Sequence, residues 1–370
     1  MVDSVQRVAG RLARVLITGL ALMGAIAALV MLLSVVSGYD PFRAVDALWR
    51  GSLGSRYAVL SATLVRATPL ILTGLSVTLA FTAGVMNIGA EGQLLAGATA
   101  TTAVAAAAGA SPGWVTVPLA LAAGGLAGAA WAYVPALLRR RFGVLEVIST
   151  IMMNFVALYL VGYLVRGPLQ EPLRIYPQSA ALPETAHLPI IVTGTRLHLG
   201  FGLALSAAVA LWWALRFTAA GFRVRVSGGS PDAAQSAALI DVGRTAMRAF
   251  LLSGFLAGLA GAIEVTGVTY SLYENLSPGY GYTAIAVALV GSLNPLLTAL
   301  SGMLFGALEA GASAMQRDAG VPSVLATVVE ASVILLLIGL GAVRAPISRW
   351  RHSRVASRDA AERAVAAEPL

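Results

Sequence analysis

The 370-residue chain contains no cysteine and no lysine, and charged residues make up only 11% of it. Without cysteine there is no disulfide, thiolate metal site, thiol nucleophile or cysteine-held iron–sulfur cluster. Without lysine the phosphate loop G-x-x-x-x-G-K-[ST] is absent, because its lysine is the group that reaches the β and γ phosphates. An ATP-driven step must therefore come from a partner. Soluble domains carry roughly a quarter of their residues as charges, so the scarcity of charge excludes a large water-soluble catalytic domain. Histidine is also rare: His187, His198 and His352 lie outside the deep apolar runs and form no ligand cluster. That leaves no metal centre, and no Ser–His pair within a bilayer for an intramembrane protease.

What the chain does have is apolar surface, with 58% hydrophobic residues and 39 glycines. A helix needs about 20 apolar residues to cross the hydrocarbon core, which allows roughly ten crossings here. The apolar runs place them at 15–36, 67–86, 94–110, 114–138, 147–165, 197–215, 249–273, 282–293, 296–315 and 321–343. The first reads as a retained helix rather than a cleaved signal peptide. The run at 282–293 is short enough to be a half-helix, and the charged stretch with Asp40, Arg43, Asp46 and Arg50 reads as a loop. The expected fold is all-α, a polytopic integral membrane protein of about ten helices, some of them broken.

Charge sets the expected topology. Of the 25 basic residues, 17 fall in the N-terminal stretch, in Arg139 to Arg141, in 216–248 and in the C-terminal tail. The positive-inside rule then makes both termini cytoplasmic and leaves the proline-rich segment 166–196 outside. The organisation is a cytoplasmic segment 1–14, a membrane domain 15–343 and a cytoplasmic arginine-rich tail 344–370. The net charge of +8 is spent on topology, so nucleic acid is not an expected partner; membrane lipid is. Within 216–248, Ser230-Pro231-Asp232 reads as an N-cap, a proline at the first helical position and an acid in the first turn, opening a short surface helix over 233–240.

Polar residues in apolar surroundings carry the functional signal. The stretch Asn87-Ile88-Gly89-Ala90-Glu91-Gly92-Gln93 has no arginine to anchor it. One reading is a solvated turn; the other is a broken helix lining a pathway, since irregular backbone at membrane depth survives only inside protein or beside water. Glu91, Glu146, Glu264, Glu309 and Glu330 lie in or beside apolar runs with no arginine in the same run. An acid at mid-bilayer costs about 2.5 to 3.5 kcal/mol, so each should face the bundle or a cavity, and for any one of them a hydrogen-bonded structural acid is an equal alternative. The pairs Gly124/Gly128, Gly254/Gly258 and Gly302/Gly306 read as close helix contacts.

From Met86 through Gln93 the chain resembles the membrane-spanning permease subunits of bacterial ABC importers of the nucleoside and simple-sugar (ribose-type, branched-chain amino acid-like) family. Four further segments agree in order. Ser37-Gly38-Tyr39-Asp40-Pro41 and Glu146-Val147-Ile148-Ser149-Thr150-Ile151-Met152-Met153-Asn154 are similar to its nucleoside branch. The stretch from Gly229 through Arg244 to Gly261 and that from Ser277 to Leu289 resemble its coupling loop and a later span. One departure is Ser230, where many members have asparagine; serine also caps helices.

The resemblance implies a type II importer-like permease without its own ATPase site or cofactor, with ATP and Mg on a partner ATP-binding cassette subunit. It also implies a second, identical or related permease and an extracytoplasmic substrate-binding lipoprotein, in a bacterial cytoplasmic membrane. Coupling to the ATPase would fall to Ser230, Pro231, Asp232, Ala233, Ala234 and Ala237. A nucleoside offers hydroxyls and base edges, so its pathway is expected to use Asn87, Glu91, Gln93, Glu146, Asn154, Tyr280 and Tyr282. The competing role for the same residues is to lock helices together. The alternative function is an ion-coupled secondary transporter of a small polar solute, which would use membrane acids and no coupling helix.

Overall fold

The computed structural model describes residues 24–109, 111–236 and 240–322, together with 324, 325, 327, 328, 331, 332 and 335. The N-terminal segment 1–14, Ala237, Glu330, most of the expected span 321–343 and the tail 344–370 lie outside the described residues.

The described regular structure is helical, running α1 Gly24–Val36, α2 Pro41–Ser52, α3 Arg56–Thr82, α4 Ala90–Ala108, α5 Gly113–Phe142 and α6 Glu146–Val165. It continues with α7 Leu199–Phe217, α8 Ala219–Gly229, α9 Pro231–Ser236, α10 Val242–Thr269, α11 Tyr280–Val290 and α12 Pro295–Asp318. Among the described residues six helices, α3, α5, α6, α7, α10 and α12, are long and apolar enough to cross a membrane. Helices α1 and α11 are apolar but shorter, α11 having the half-helix length expected of it. The protein is thus a multi-pass membrane protein, with fewer full crossings among these residues than the ten read from the sequence.

Among the boundaries that differ from expectation are four where charge or polarity was read as an end. The stretch after Asp40 is not a loop but α2: the Asp40 carboxylate accepts the Phe42 and Arg43 amides at 2.9 and 3.2 Å, and Pro41 opens the helix. Its charges face outward while Ala44, Ala47 and Ser52 are buried, an amphipathic pattern. Helix α3 begins at Arg56 rather than at 67 and carries Arg66 within it. Helix α10 begins at Val242, where the Asp241 carboxylate caps the Arg244 amide at 2.8 Å. The irregular stretch after α3 ends at Gly89, so Glu91 and Gln93 belong to the first turns of α4 and not to a loop.

Helices α3 and α10 are buried over most of their spanning length, and α5, α6 and α7 surround them. The glycine pairs explain how the centre closes. A Cβ on Gly258 would fall on the Gly124 carbonyl, one on Gly128 would fall on that of Gly254, and one on Gly97 would strike the Gly258 backbone, so α4, α5 and α10 meet backbone to backbone. Gly306 lies against Ala67 and the Thr63 carbonyl, and Gly302 against Ile71, which sets α12 on α3. Backbones approach this closely only where no side chain intervenes, and dispersion and interhelical hydrogen bonds then hold them without any hydrophobic drive between helices.

Candidate functional site

The break between α3 and α4 is built as a hydrogen-bonded knot. The N-terminus of α4 leaves backbone amides without intrahelical acceptors, and its cap position, Gly89, has no side chain to supply one. Two asparagines do so from outside the helix. Asn87 Oδ1 accepts the Gly89 amide at 2.9 Å, and Asn154 Oδ1, reaching over from α6, accepts the Gly92 amide at 2.8 Å. Asn87 Nδ2 donates to Gln93 Oε1 at 2.9 Å and to Ser253 Oγ of α10 at 2.7 Å, and Gln93 Nε2 donates back to Asn87 Oδ1 at 3.1 Å. Ser253 Oγ in turn lies 2.9 Å from Ser76 Oγ of α3. Asn154 Nδ2 donates to the Ile88 carbonyl at 2.9 Å and to Tyr282 Oη at 3.3 Å. Asn87, Gln93 and Asn154 are all buried.

The acids are also engaged. Glu91 Oε2 accepts the Gly281 amide at 2.7 Å, tying α4 to the first turn of α11. Glu146 opens α6 and pairs with Arg139 at 3.2 Å while accepting the Met86 amide at 3.3 Å. The sequence reading put Glu146 among the pathway residues and found no arginine within its own apolar run. The structure instead sets Glu146 against the arginine cluster that ends α5, beyond the reach of any periodicity argument.

A polar cavity of about 590 Å³ opens elsewhere, between α3, α10, α11 and α12. Its walls include Arg66, Glu264, Tyr273, Tyr280, Glu309 and Gln316. The Arg66 guanidinium donates to Ser313 Oγ at 3.2 Å, joining α3 to α12. Glu264 is buried, at the point where α10 passes into a π-helical turn, Val265–Thr269. Of the seven residues expected to line a pathway, Tyr280 alone lines this cavity; Tyr282 is partly exposed and meets Asn154. Sequence reasoning singled out Glu264 and Glu309 as membrane acids without placing them together, and it missed Arg66, Tyr273 and Gln316. A signal was present on α12, where Glu309, Ser313 and Gln316 recur at i, i+4 and i+7 and so share a face.

At the arginine-bearing end, Ser230 ends α8 and opens α9: its amide donates to Val226 and its carbonyl accepts the Ala234 amide, both at 3.0 Å. Pro231, Asp232 and Ala233 are exposed. Ala234 is buried within the chain and its carbonyl accepts the Ile240 amide at 3.0 Å, so it holds the loop together instead of presenting a surface to a partner.

A bundle of apolar helices interrupted by half-length and broken elements, close-packed on glycine and holding a polar cavity, defines the class of membrane permeases. The chain belongs to the family described as branched-chain amino acid transport system / permease component, whose profile matches residues 59–339. It is 39% identical over 317 residues to the guanosine ABC transporter permease protein NupP of Bacillus subtilis, covering 85% of this chain and 90% of that one. It is 38% identical to the glucose ABC transporter permease protein TsgB13 of Haloferax volcanii, over 81% of this chain and 80% of the relative. Identity to the nucleoside ABC transporter permease protein NupB of Lactococcus lactis is 30%, over 81% and 84% of the two chains. No solved structure gives a significant match. The chain is a permease subunit of the ABC transporter kind.

Proposed function

We propose that this permease imports nucleosides or closely related polyhydroxylated solutes through the Arg66–Glu264–Glu309 cavity, by alternating access driven from a separate ATPase subunit. The cavity is the observation that carries this reading. Its volume falls within the range of small-molecule sites, about 300 to 1,000 Å³, and its walls combine few but varied polar groups with aromatic faces. Arg66 supplies donors for base carbonyl or ring-nitrogen edges, the two carboxyl groups supply acceptors for hydroxyls, and Tyr273 and Tyr280 supply rings for a flat base. The relatives are named for guanosine, nucleosides and glucose, all neutral solutes rich in hydroxyls.

The remaining assembly follows from the same reading. ATP and Mg bind the partner ATP-binding cassette subunit and none is held here; a second permease completes the membrane unit, and an extracytoplasmic lipoprotein delivers solute. The segment 216–248 and both termini face the cytoplasm of a bacterial inner membrane, and 166–196 faces out. The membrane domain extends over 15–343. The exposed residues Ser230, Pro231, Asp232 and Ala233 form the contact with the ATPase, with Ala234 shaping it from within.

The test is uptake of labelled nucleoside by cells carrying the full transporter. Arg66→Ala and Glu309→Gln should each raise KM at least fivefold at unchanged surface abundance. Uptake should vanish when the partner ATPase is inactivated. Ala233→Arg should uncouple uptake while the protein still inserts. Transport that survives loss of the ATPase, or cavity variants that leave KM unchanged, would overturn the proposal.

A further inference from the structure

The segment that follows α10 forms one wall of the cavity, contributing Tyr273, Asn275, Leu276 and Pro278. It begins at Tyr270 and passes through Asn275, two non-glycine residues in the left-handed region, and for the bulky Tyr270 that course is imposed by tertiary contacts rather than by local preference. Those contacts come from the proline-rich loop 166–196. The Leu188 amide donates to the Thr266 carbonyl at 2.9 Å, the Leu182 amide to the Tyr270 carbonyl at 2.8 Å and the Ser179 amide to the Leu272 carbonyl at 2.7 Å. The Leu272 amide returns a bond to Ser179 Oγ at 2.9 Å, and the Glu274 amide donates to the Pro177 carbonyl at 3.4 Å. The His187 ring lies 4.0 Å from that of Tyr270. Arg166, just past the end of α6, pairs with Glu274 at 2.6 Å. Within the loop itself, Ser179, Leu182, Ala186 and Leu188 are buried.

We propose that loop 166–196 and wall segment 270–279 are one mechanical body, with Arg166 and Glu274 as positioning residues that set Tyr273 and its neighbours in the cavity. This rests on the reading of the cavity as the solute site. A loop that merely covered the bundle would need few backbone bonds to what lies below. Here two loop amides, at Ser179 and Leu182, are satisfied by wall carbonyls, two wall amides, at Leu272 and Glu274, are satisfied by the loop, and Leu188 bonds the end of α10, so lifting the loop away would orphan polar groups on both sides. A partner that grips the loop from outside thereby acts on the cavity wall itself. The loop is a lever on solute binding, and opening on this face moves loop and wall together.

The chain has no cysteine, which allows a clean cross-linking test. Gln178 and Tyr273 form an isolated antiparallel bridge. The flanking bonds from Ser179 to Leu272 and from Glu274 to Pro177 make it a non-hydrogen-bonded pair, in which Cα atoms stand about 4.5 Å apart, within disulfide range. In the assembled transporter, Gln178→Cys with Tyr273→Cys should oxidise readily; loss of the Tyr273 ring raises KM in both forms, so uptake is compared at saturating nucleoside, where the oxidised form should import within twofold of the same variant reduced. A larger loss on oxidation that reverses on reduction means that loop and wall must part during transport, which overturns the proposal, as does failure of the two thiols to join. As a second arm, Arg166→Glu should raise KM about fivefold at unchanged abundance, and Arg166→Glu with Glu274→Arg should restore it to within twofold. Absence of that rescue removes the positioning role. Failure of the underlying cavity reading shows separately, as a wild-type KM in Arg66→Ala.

Discussion

Asn154 separates a lock from a pathway. A side chain that touches solute needs a polar atom left over for it, whereas Asn154 Oδ1 is committed to the Gly92 amide and Nδ2 is committed to the Ile88 carbonyl and to Tyr282. Asn154→Ala strips a cap from the start of α4, and caps are worth about 0.5 to 2 kcal/mol. That same loss leaves the buried Gly92 amide unpaired, and the half-buried Ile88 carbonyl with it, at roughly 1 to 3 kcal/mol for such a group in water-soluble proteins. In membranes the measured coupling is smaller, about 0.6 and up to about 1.7 kcal/mol, because the unfolded chain in lipid finds other partners. The lower figures apply, and the expected loss is about 2 kcal/mol. Thermal unfolding in detergent should show a lowered transition for Asn154→Ala and an intermediate one for Asn154→Asp, which keeps an acceptor for Gly92 and loses the donor to Ile88. KM measured on the protein that reaches the membrane should remain within twofold of the parent. Unchanged stability with a several-fold rise in KM would refute the argument and return Asn154 to the pathway.

Gly258→Val should cost about 3 kcal/mol, the upper end of overpacking penalties, and leave little folded protein by size-exclusion chromatography, because its side chain would land on the Gly124 carbonyl where neither backbone can yield. In intact cells, a cysteine at Leu173 should react with an impermeant thiol reagent and one at Gln235 should not; both positions are exposed, whereas Ser179 on the same loop is buried and a poor reporter. The Glu171 carboxyl is held below its ordinary value by the Gln178 side-chain amide and the Tyr176 backbone amide. A carboxylate depressed on folding contributes fully above its unfolded pKa and is lost as pH falls through the lower folded value. Protection of the Tyr176 amide, corrected for intrinsic exchange, should therefore match at pH 7 and pH 5 and disappear only under more acid conditions; loss between those two values would contradict the assignment.

The helices were legible wherever apolar runs were long, and their ends were misplaced wherever charge was taken as a boundary. Asp40 and Asp241 are caps, and the residues after them continue the chain into helix; a carboxylate at a helix start looks in sequence like the polar loop it terminates. The stretch 87–93 was legible as unusual because an amide, an acid and a second amide in apolar company must be compensated. Its purpose was not, since compensation by a solute and compensation by a neighbouring helix demand the same residue types. What decides between them is the partner at each polar atom, and those partners stand far along the chain, Ser253 for Asn87 and Gly281 for Glu91. Arg66 shows the same limit from the other side. Beside an apolar run a lone arginine reads as the end of a span, because in lipid it would be costly. Folded, it lies within α3, bonds to a serine 247 residues away and faces a cavity that two acids share. Periodicity reports which side of a helix a residue occupies, and only the packing of α3 against α12 and α10 makes that side the wall of a polar cavity.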